Sequence, residues 1–567
     1  TLGTFAHFTH LSQFNRGRKM NYGFIIDNRK CIGCHACTVA CKAEHDVPLG
    51  VNRTWVKYVE KGTFPNTRRL FSVMRCNHCE DPPCVDICPV TALYKRPDGI
   101  VDFDNRRCIG CKSCMQACPY DALYIDPETL TAAKCNYCAH RIDIGLEPAC
   151  VNVCPEHAII SGNMDDAGSE IAQLLAREQV HARKIEKGTQ PKLFYIEADA
   201  ASLVPGVAGP DRTYTQTEQA AGVGHFAKYA EKRISAADPE KMAETLAGNG
   251  SPEKYGVTVP ENSGNGKMLE KAWAVVREQA RRVYDAPSKG VLWGWEVTAY
   301  VWTKAIAAGA FLIPFLALLL NYAPLTDTLQ WTGVGLALAF LALTGLLLIK
   351  DLDQPSRFLY VLLRPQWGSW LVRGGYFITF YGLMLTLWAV GKFLQIDGLT
   401  NFAIYGGILF SILVAVYTAF LFAQAKGRDF WQTPVLPLHM LVHALMAGAA
   451  CFAVLTAFIE GDSAGYWVDY LYHALMYTIH ANVLIIAVEL LIPHPTADAK
   501  RAVKMIVAGR FSPAFYGGVL AVGNILPVVL VWLGGFAMLP LAGLLVLIGI
   551  YLTEHVWLRA PQHVPLA

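Results

Sequence analysis

Residues 30–41 read KCIGCHACTVAC, and residues 107–118 read RCIGCKSCMQAC. Both stretches space four cysteines as C-x2-C-x2-C-x3-C and start 77 residues apart, which indicates an internal duplication. Two further groups stretch one gap but keep the closing x3-C. The four groups are Cys31-Cys34-Cys37-Cys41, Cys76-Cys79-Cys84-Cys88, Cys108-Cys111-Cys114-Cys118 and Cys135-Cys138-Cys150-Cys154. They hold sixteen of the seventeen cysteines, so what these thiols bind decides the fold of this region.

This density of cysteines is typical either of a disulfide framework or of metal ligation. Cysteines two residues apart pair badly in disulfides, and residues 1–19 contain no apolar core of the length that a signal peptide needs. Structural zinc prefers two separated C-x2-C pairs rather than three cysteines within seven residues. The C-x2-C-x2-C-x3-C run is instead that of bacterial ferredoxins, in which the fourth thiolate reaches a different cluster. The sequence therefore predicts four [4Fe-4S] clusters.

The rest of the chain divides by composition. The 567 residues have a mean hydropathy of +0.29 and only 17% are charged, which is too apolar for a soluble protein of this length. The net charge of +3, without a basic stripe, argues against a nucleic-acid partner. We predict an extension without function at 1–19, a cluster domain at 20–200, a linker at 201–292 and a membrane domain at 293–567. Within the linker, 267–284 has the spacing of an amphipathic helix.

Eight apolar runs in the C-terminal half are each long enough to cross a hydrocarbon layer of about 30 Å as a helix. They are 295–320, 329–349, 371–394, 400–424, 434–458, 466–492, 513–534 and 535–558. Loops after spans two, four and six carry Lys and Arg, whereas those after spans one, three and five carry Asp and Glu, although Lys392 lies just inside the end of span three. The positive-inside rule therefore predicts that the basic loops and the cluster domain share the cytoplasmic face. The predicted fold is an α+β duplicated bacterial-ferredoxin domain followed by an all-α membrane domain of eight transmembrane helices.

These patterns resemble two known families joined in one polypeptide. Residues 20–200 resemble the four-cluster iron–sulfur subunit of the dimethyl-sulfoxide-reductase superfamily. Residues from about 293 to 560 are similar to the NrfD / polysulfide-reductase-type membrane anchor. That second likeness depends on the eight helices and on residues 351–358 (DLDQPSRF), which match the family's D-L-x-x-P-x-R-F connector. The first cysteine group departs from the others, because it closes in Cys41-Lys42 rather than Cys-Pro.

The resemblance implies crossed ligation, cofactors and partners. The implied ligand sets are Cys31/Cys34/Cys37/Cys154, Cys135/Cys138/Cys150/Cys41, Cys76/Cys79/Cys84/Cys118 and Cys108/Cys111/Cys114/Cys88. It implies a catalytic subunit with a molybdenum or tungsten bis-pterin cofactor. It also implies a bacterial-type inner (cytoplasmic) membrane, with menaquinone or ubiquinone bound, without haem, at the end that faces the clusters.

Polar residues near that end are candidates for a quinone site, since polar groups inside spans are costly. Glu296, Tyr300 and Lys304 recur every four residues and share one helix face. In the connector, Asp351, Asp353 and Arg357 are predicted to lie at the same side of the membrane. The alternative is that Lys304 pairs or reaches the interface and that the connector is only a turn.

Histidines in spans five and six are a second set of candidates. His439 and His443 lie one turn apart in span five, and Asp469, His473, Tyr477 and His480 follow one face of span six. They could contribute to the quinone site, form a proton path or only join helices. We do not expect a b haem, because His439 and His443 are too close to serve two stacked haems; a single haem between His443 and His480 is the alternative.

The sequence thus predicts the electron-transfer and anchor subunit of a quinone-linked respiratory oxidoreductase. No nucleotide-binding loop or nucleophile motif is present, so the primary substrate site is expected on another polypeptide. Alternatives are the same relay serving a multihaem cytochrome or hydrogenase, a redox-driven ion pump, or a purely structural anchor.

Overall fold

A computed structural model describes residues 20–63, 66–210, 280–322, 325–456 and 464–567. The predicted extension at 1–19 lies outside the described residues. So do residues 267–279, which form most of the helix predicted in the linker.

The N-terminal domain combines short helices with small sheets. Its strands are β1 (Tyr22–Asp27), β2 (Thr54–Thr63), β3 (Asn66–Arg75), β4 (Leu93–Lys95), β5 (Val101–Phe103), β6 (Leu123–Ile125), β7 (Ala132–Lys134), β8 (Ile159–Asn163), β9 (Val180–Ala182), β10 (Leu193–Ile196), β11 (Gly209–Pro210) and β12 (Ala280–Tyr284). Its helices are α1 (Ala36–Glu44), α2 (Pro83–Asp86), α3 (Ser113–Ala117), α4 (Ala139–Ile142), α5 (Ala149–Asn152), α6 (Glu170–Arg177) and α7 (Ala200–Leu203).

The strands form two four-stranded sheets and two hairpins. One sheet has the order β8-β1-β10-β9, with β1 parallel to β10, and the other has the order β11-β12-β2-β3. The hairpins β4-β5 and β6-β7 follow the second and third cysteine groups. This is the ferredoxin-like α+β arrangement that the duplicated cysteine run predicts.

The two repeated motifs adopt the same backbone conformation. Gly33 and Gly110 have φ angles of 73° and 71°, and His35 and Lys112, two residues later, have 62° and 59°. A left-handed φ is accessible to glycine without steric cost, which explains the glycine in each C-I-G-C stretch. At Gly110 a Cβ would also lie 2.6 Å from the Cβ of Asp353, so this loop approaches the membrane domain closely.

The helix predicted over 267–284 is wrong at its C-terminal end. Residues 280–284 form strand β12, which pairs antiparallel with the edge of β2. There Arg281 forms an ion pair with Glu60, at 2.5 Å. The open backbone groups of β2 provide hydrogen bonds that the helical spacing could not reveal. The end of the predicted linker therefore belongs to the cluster domain's sheet.

The C-terminal half is a helical membrane domain. Its helices are α8 (Trp295–Leu319), α9 (Asp327–Lys350), α10 (Tyr360–Leu363), α11 (Trp370–Phe393), α12 (Asp397–Gln424), α13 (Leu436–Leu455), α14 (Ala464–Leu491), α15 (Ala497–Val507), α16 (Leu526–Gly534) and α17 (Leu539–Gln562). A π-helix, Ala514–Ile525, leads into α16. Among the described residues, seven segments are long and apolar enough to cross a membrane, so this is a multi-pass membrane protein.

The last of these segments, Ala514–Gln562, covers the two final spans predicted from the sequence. A short 3-10 turn, Gly535–Met538, interrupts it, and Gly535 has a φ of 63°. On either side of the turn Gly523 and Gly549 meet, since a Cβ on Gly523 would lie 2.5 Å from the Cα of Gly549. The two halves of this segment therefore pack side by side.

Candidate functional site

The sixteen clustered cysteines gather in four places. Cys31, Cys34, Cys37 and Cys154 line one cavity, and Cys88, Cys108, Cys111 and Cys114 line another. Cys41 lies within electrostatic range of Cys135, Cys138 and Cys150, and Cys84 within range of Cys76, Cys79 and Cys118. These groupings are the four ligand sets that crossed ligation predicts. The ligation itself stays a prediction.

The surroundings of the thiols fit an anionic cluster. All the cysteines are unpaired, and no three Cys, His, Asp or Glu side chains of the described residues converge closely enough to hold a single metal ion. Two of the four thiol sets instead surround cavities, as the ligands of a bulky cluster must. Arg75 is fully buried among them and donates to Cys150 Sγ at 3.1 Å, while its Nε and Nη2 have no hydrogen-bond partner in the described part of the chain. Such a buried cation needs negative charge nearby, and cluster thiolates and sulfides would supply it.

The connector after α9 clamps the cluster domain to the membrane domain. The Lys112 ammonium lies 2.9 Å from the Asp353 carboxylate. The Arg357 guanidinium donates to the backbone carbonyls of Asn105 and Cys108, both at 2.9 Å. These contacts hold the loop of the third cysteine group against the end of the helical bundle.

A cavity of about 200 Å³ lies behind this clamp. Cys111 and Trp293 form the wall nearest the cluster domain, while the other walls come mainly from apolar side chains of α8, α9, α11 and α12. The polar side chains lining its membrane-domain walls include those of Tyr300, Asp351 and Tyr417. An apolar chamber with a few convergent polar groups suits a flat, mostly apolar ligand.

Asp351 follows the last residue of α9 and lies outside the spanning segment. Burial raises the pKa of its carboxyl to about 7, although the nearby Lys112 ammonium opposes this rise. Glu296 and Asp353 add to the rise through like-charge repulsion. At neutral pH this carboxyl is therefore divided between its protonated and ionised forms, as suits a group that exchanges protons.

Comparison with known proteins agrees with this two-part organisation. Residues 30–93 and 67–164 match models of a 4Fe-4S dicluster domain, and residues 285–565 match the model of polysulphide reductase, NrfD. Tetrathionate reductase of Salmonella typhimurium has a subunit that is 46% identical over 188 residues, which are 32% of this chain and 75% of that protein. The protein belongs to the family of iron–sulfur electron-transfer subunits. Here the iron–sulfur subunit is fused to an NrfD membrane domain.

Two other relatives are also similar to this NrfD-linked iron–sulfur subunit. A component of the polysulfide reductase of Wolinella succinogenes is 43% identical over 180 residues, 31% of this chain and 93% of that protein. The iron–sulfur subunit of a putative dimethyl sulfoxide reductase of Halobacterium salinarum is 34% identical over 259 residues, 40% of this chain and 99% of that protein.

The structure brings only part of the predicted quinone set to the cavity. Tyr300 and Asp351 line it, whereas Asp353 and Arg357 do not, because their side chains are engaged by the docking loop. Lys304 lies deeper, where its ammonium donates to Thr418 Oγ1 at 2.6 Å and to the Ala415 carbonyl at 3.1 Å.

Glu296 is also outside the cavity lining, although its charge is within range of Asp351. It lies half-buried in the first turn of α8. The spacing of four residues correctly placed Glu296, Tyr300 and Lys304 along one helix. The three side chains lie at different depths of the membrane domain, however, and only Tyr300 lines the cavity.

His439 and His443 lie in the bundle core, away from that cavity. His439 Nδ1 is 2.8 Å from Glu489 Oε2, and His443 Nδ1 is 2.7 Å from Glu554 Oε1. His443 Nε2 is 3.1 Å from Asn482 Oδ1, so both its ring nitrogens are engaged. Sequence reasoning missed Glu489, Glu554 and Asn482. The signal was present, because each lies within an apolar predicted span, where polar and ionisable side chains are costly and often functional.

The stripe predicted on span six faces away from this core. Tyr477 is 70% exposed, and His480 hydrogen-bonds the carbonyl of Met476 in its own helix, at 2.6 Å. Asp469 and His473 instead meet Tyr322 at the opposite end of the bundle. The inward face of the same helix carries Asn482 and Glu489, both buried.

Proposed function

We propose that this subunit relays electrons between a catalytic subunit with a molybdenum or tungsten bis-pterin cofactor and a quinone in the membrane. Four [4Fe-4S] clusters, each held by one of the four cysteine sets, form the conductor. The observation that carries this proposal is the cavity beside Cys111. It has the third cysteine group on one side and the lipid-embedded helices on the other.

The order of the four sets along the conductor follows from their neighbours. Cys37 and Cys150, from the first and second ligand sets, both lie within range of Arg75. Cys135 of the second set lies near Cys76 of the third, and Cys84 of the third lies near Cys114 of the set at the membrane. The series therefore begins at the set with the exposed Cys34 and ends beside the cavity. We place the catalytic partner at the Cys34 end.

The relatives support a substrate site on another polypeptide. Their names refer to reductases of tetrathionate, polysulfide and arsenate, although each relative is at least 33% identical to this protein over at least 75% of its own length. A conductor that serves such different substrates does not itself select them. The substrate of this complex is thus set by its partner subunit.

Residues at the cavity have separate tasks in quinone chemistry. The Tyr300 hydroxyl would donate a hydrogen bond to a quinone oxygen, and the Asp351 carboxyl would exchange a proton with an oxygen of the ring. Trp293, which donates to the Cys111 carbonyl at 3.2 Å, closes the wall between cavity and cluster loop. Menaquinone and ubiquinone both fit this chemistry.

The membrane arrangement follows from the paired halves of the last segment. If the protein crosses the bilayer separately before and after Gly535, eight spans result and both ends of the membrane domain share the cluster domain's face. The basic loops favour the cytoplasm for that face. Labelling of a cysteine placed at exposed Arg106 from outside intact cells would contradict this orientation.

Inhibitor-sensitive quinone reduction by the purified complex tests the site. The double substitution Tyr300→Phe with Asp351→Asn should lower this rate at least about a hundredfold, since it removes both polar partners. Reduction of the clusters from the catalytic side should not change. Asp397→Asn, at the start of α12, is the matched control. An unchanged quinone rate in the double variant would refute the site.

A further inference from the structure

A group of titratable side chains is buried in the core of the membrane domain. Glu489 binds His439 at 2.8 Å, the rings of His439 and His443 lie 4.3 Å apart, and His443 binds Glu554 at 2.7 Å. Each of these side chains is less than one-tenth exposed. Four such groups in contact inside a bilayer are expensive to bury, which indicates a functional role.

The outer end of this group meets a second cavity. That cavity, of about 480 Å³, lies where the cluster domain covers the ends of α13 and α14. Lys187 of the cluster domain and Asp429 of the membrane domain form an ion pair in its wall, and Glu489 lines it. Glu489 Oε1 and His439 Nε2 are buried without a hydrogen-bond partner among the described residues. Buried polar atoms of this kind are usually satisfied by water.

The inner end of the group lies towards the cavity beside Cys111. Glu554 lies within electrostatic range of both Tyr300 and Lys304. Tyr300 lines that cavity, and the Lys304 ammonium lies 4.8 Å from the centre of the Tyr417 ring, which lines it too. The buried group therefore extends from the second cavity towards the first.

No comparable connection leads to the opposite face within the described residues. Asn482 donates to Asn524, which in turn donates to the Val519 carbonyl, where this branch ends. His473, which belongs to the polar group at the opposite end of the bundle, lies nine residues before Asn482, about 13 Å along the helix. On the inward face Leu475 and Ile479 lie between, both buried in an apolar cluster. The intervening Thr478 and His480 hydrogen-bond carbonyls of their own helix.

We infer that Glu489, His439, His443 and Glu554 form the proton route of the quinone site, open only to the cluster-domain side. This inference rests on the proposed function. Reduction of one quinone takes two electrons, which arrive singly through the clusters, and two protons, giving one quinol. One of the two protons would enter at Glu489 from water in the second cavity and leave Glu554 towards Tyr300, while the Asp351 carboxyl exchanges the other. Oxidation of quinol would release protons along the same residues.

A consequence of this route is that turnover moves no net charge across the membrane. Electrons and protons reach the quinone from the same face, so neither crosses the bilayer. A redox-driven ion pump would require a second, opposite opening.

The experiment uses the whole complex in proteoliposomes with a voltage-sensitive dye. Glu489→Gln should slow quinone reduction at least about tenfold, because the amide cannot release a proton to His439. Glu489→Asp, which keeps the carboxyl, should recover part of the rate. His480→Gln, on the exposed face of the same helix, is the matched control and should leave the rate unchanged. The wild-type complex should give no voltage signal during turnover.

Binding of a quinone-analogue inhibitor separates the inference from the proposed function. Unchanged inhibitor affinity in Glu489→Gln, with slowed turnover, supports the proton route. Full turnover in that variant refutes the route but leaves the quinone site standing, whereas no inhibitor binding in the wild type refutes the site itself. If Glu489→Gln does not assemble, Glu554→Gln and Glu489→Asp are compared instead, and full rates in both overturn the route. A voltage generated during turnover also overturns it.

Discussion

The cluster domain and the membrane domain both bury charge, but they do so in different ways. In the cluster domain the charged partners of Arg75 are cysteines that lie at fixed spacings within short stretches of sequence. In the membrane domain His439 and Glu489, in contact at 2.8 Å, are fifty residues apart. Local spacing therefore identifies the first kind of site, and only the packing of helices creates the second.

The strongest test of this difference removes one ligand of the cluster nearest the membrane. Cys111→Ala should abolish electron flow to quinone, because it deprives that cluster of a thiolate and breaks the series at its last step. Electron paramagnetic resonance should show the loss of one cluster signal. Cys451→Ala, in the apolar core of α13, is the control and should retain all four clusters.

The pH dependence of quinone reduction should reveal Asp351. Since burial raises its pKa to about 7, its carboxyl keeps the proton below that pH and loses it above. If proton donation from Asp351 limits the rate, the rate should fall about tenfold per pH unit above the pKa. The groups that face it and shape this value are Lys112, Glu296 and Asp353. In Asp351→Asn the remaining rate should no longer fall above this pKa. A pH profile unchanged from wild type would contradict the role of Asp351 as proton donor.

Loosening the clamp between the domains should have a smaller effect. Arg357→Ala removes two hydrogen bonds to backbone carbonyls of the cluster loop, which together contribute about 2 kcal/mol. We expect faster proteolysis between the domains and a several-fold slower quinone reaction. Arg364→Ala, in the same connector but stacked on Tyr360, should behave as wild type.

The smallest expected change is in cluster potential. Arg75→Gln removes a buried positive charge beside two ligand sets, so the midpoint potentials of those clusters should fall by tens of millivolts. Redox titration followed by electron paramagnetic resonance measures the shift. Arg106→Gln is the control, since the side chain of Arg106 is 92% exposed. Equal shifts in both variants would show that proximity to the thiols does not matter.

Two differences between the sequence interpretation and the structure have one physical origin. Residues 267–284 have helical spacing, yet 280–284 form a strand, because the edge of β2 offers backbone hydrogen bonds from a distant part of the protein. Asp353 and Arg357 are predicted for the quinone site, but they hold the cluster loop. Both outcomes depend on what a segment meets in the fold, which its own residues do not state.

What the sequence determined by itself is the set of local patterns. The repeated C-I-G-C stretches, the apolar runs and the DLDQPSRF connector each act over a few neighbouring residues, so spacing alone predicts the cluster domain and the helical membrane domain. The tertiary structure decided which polar groups meet. It placed Tyr300 and Asp351 at one cavity and joined Glu489 to Glu554 through two histidines, because buried polar groups in a bilayer must find partners on other helices.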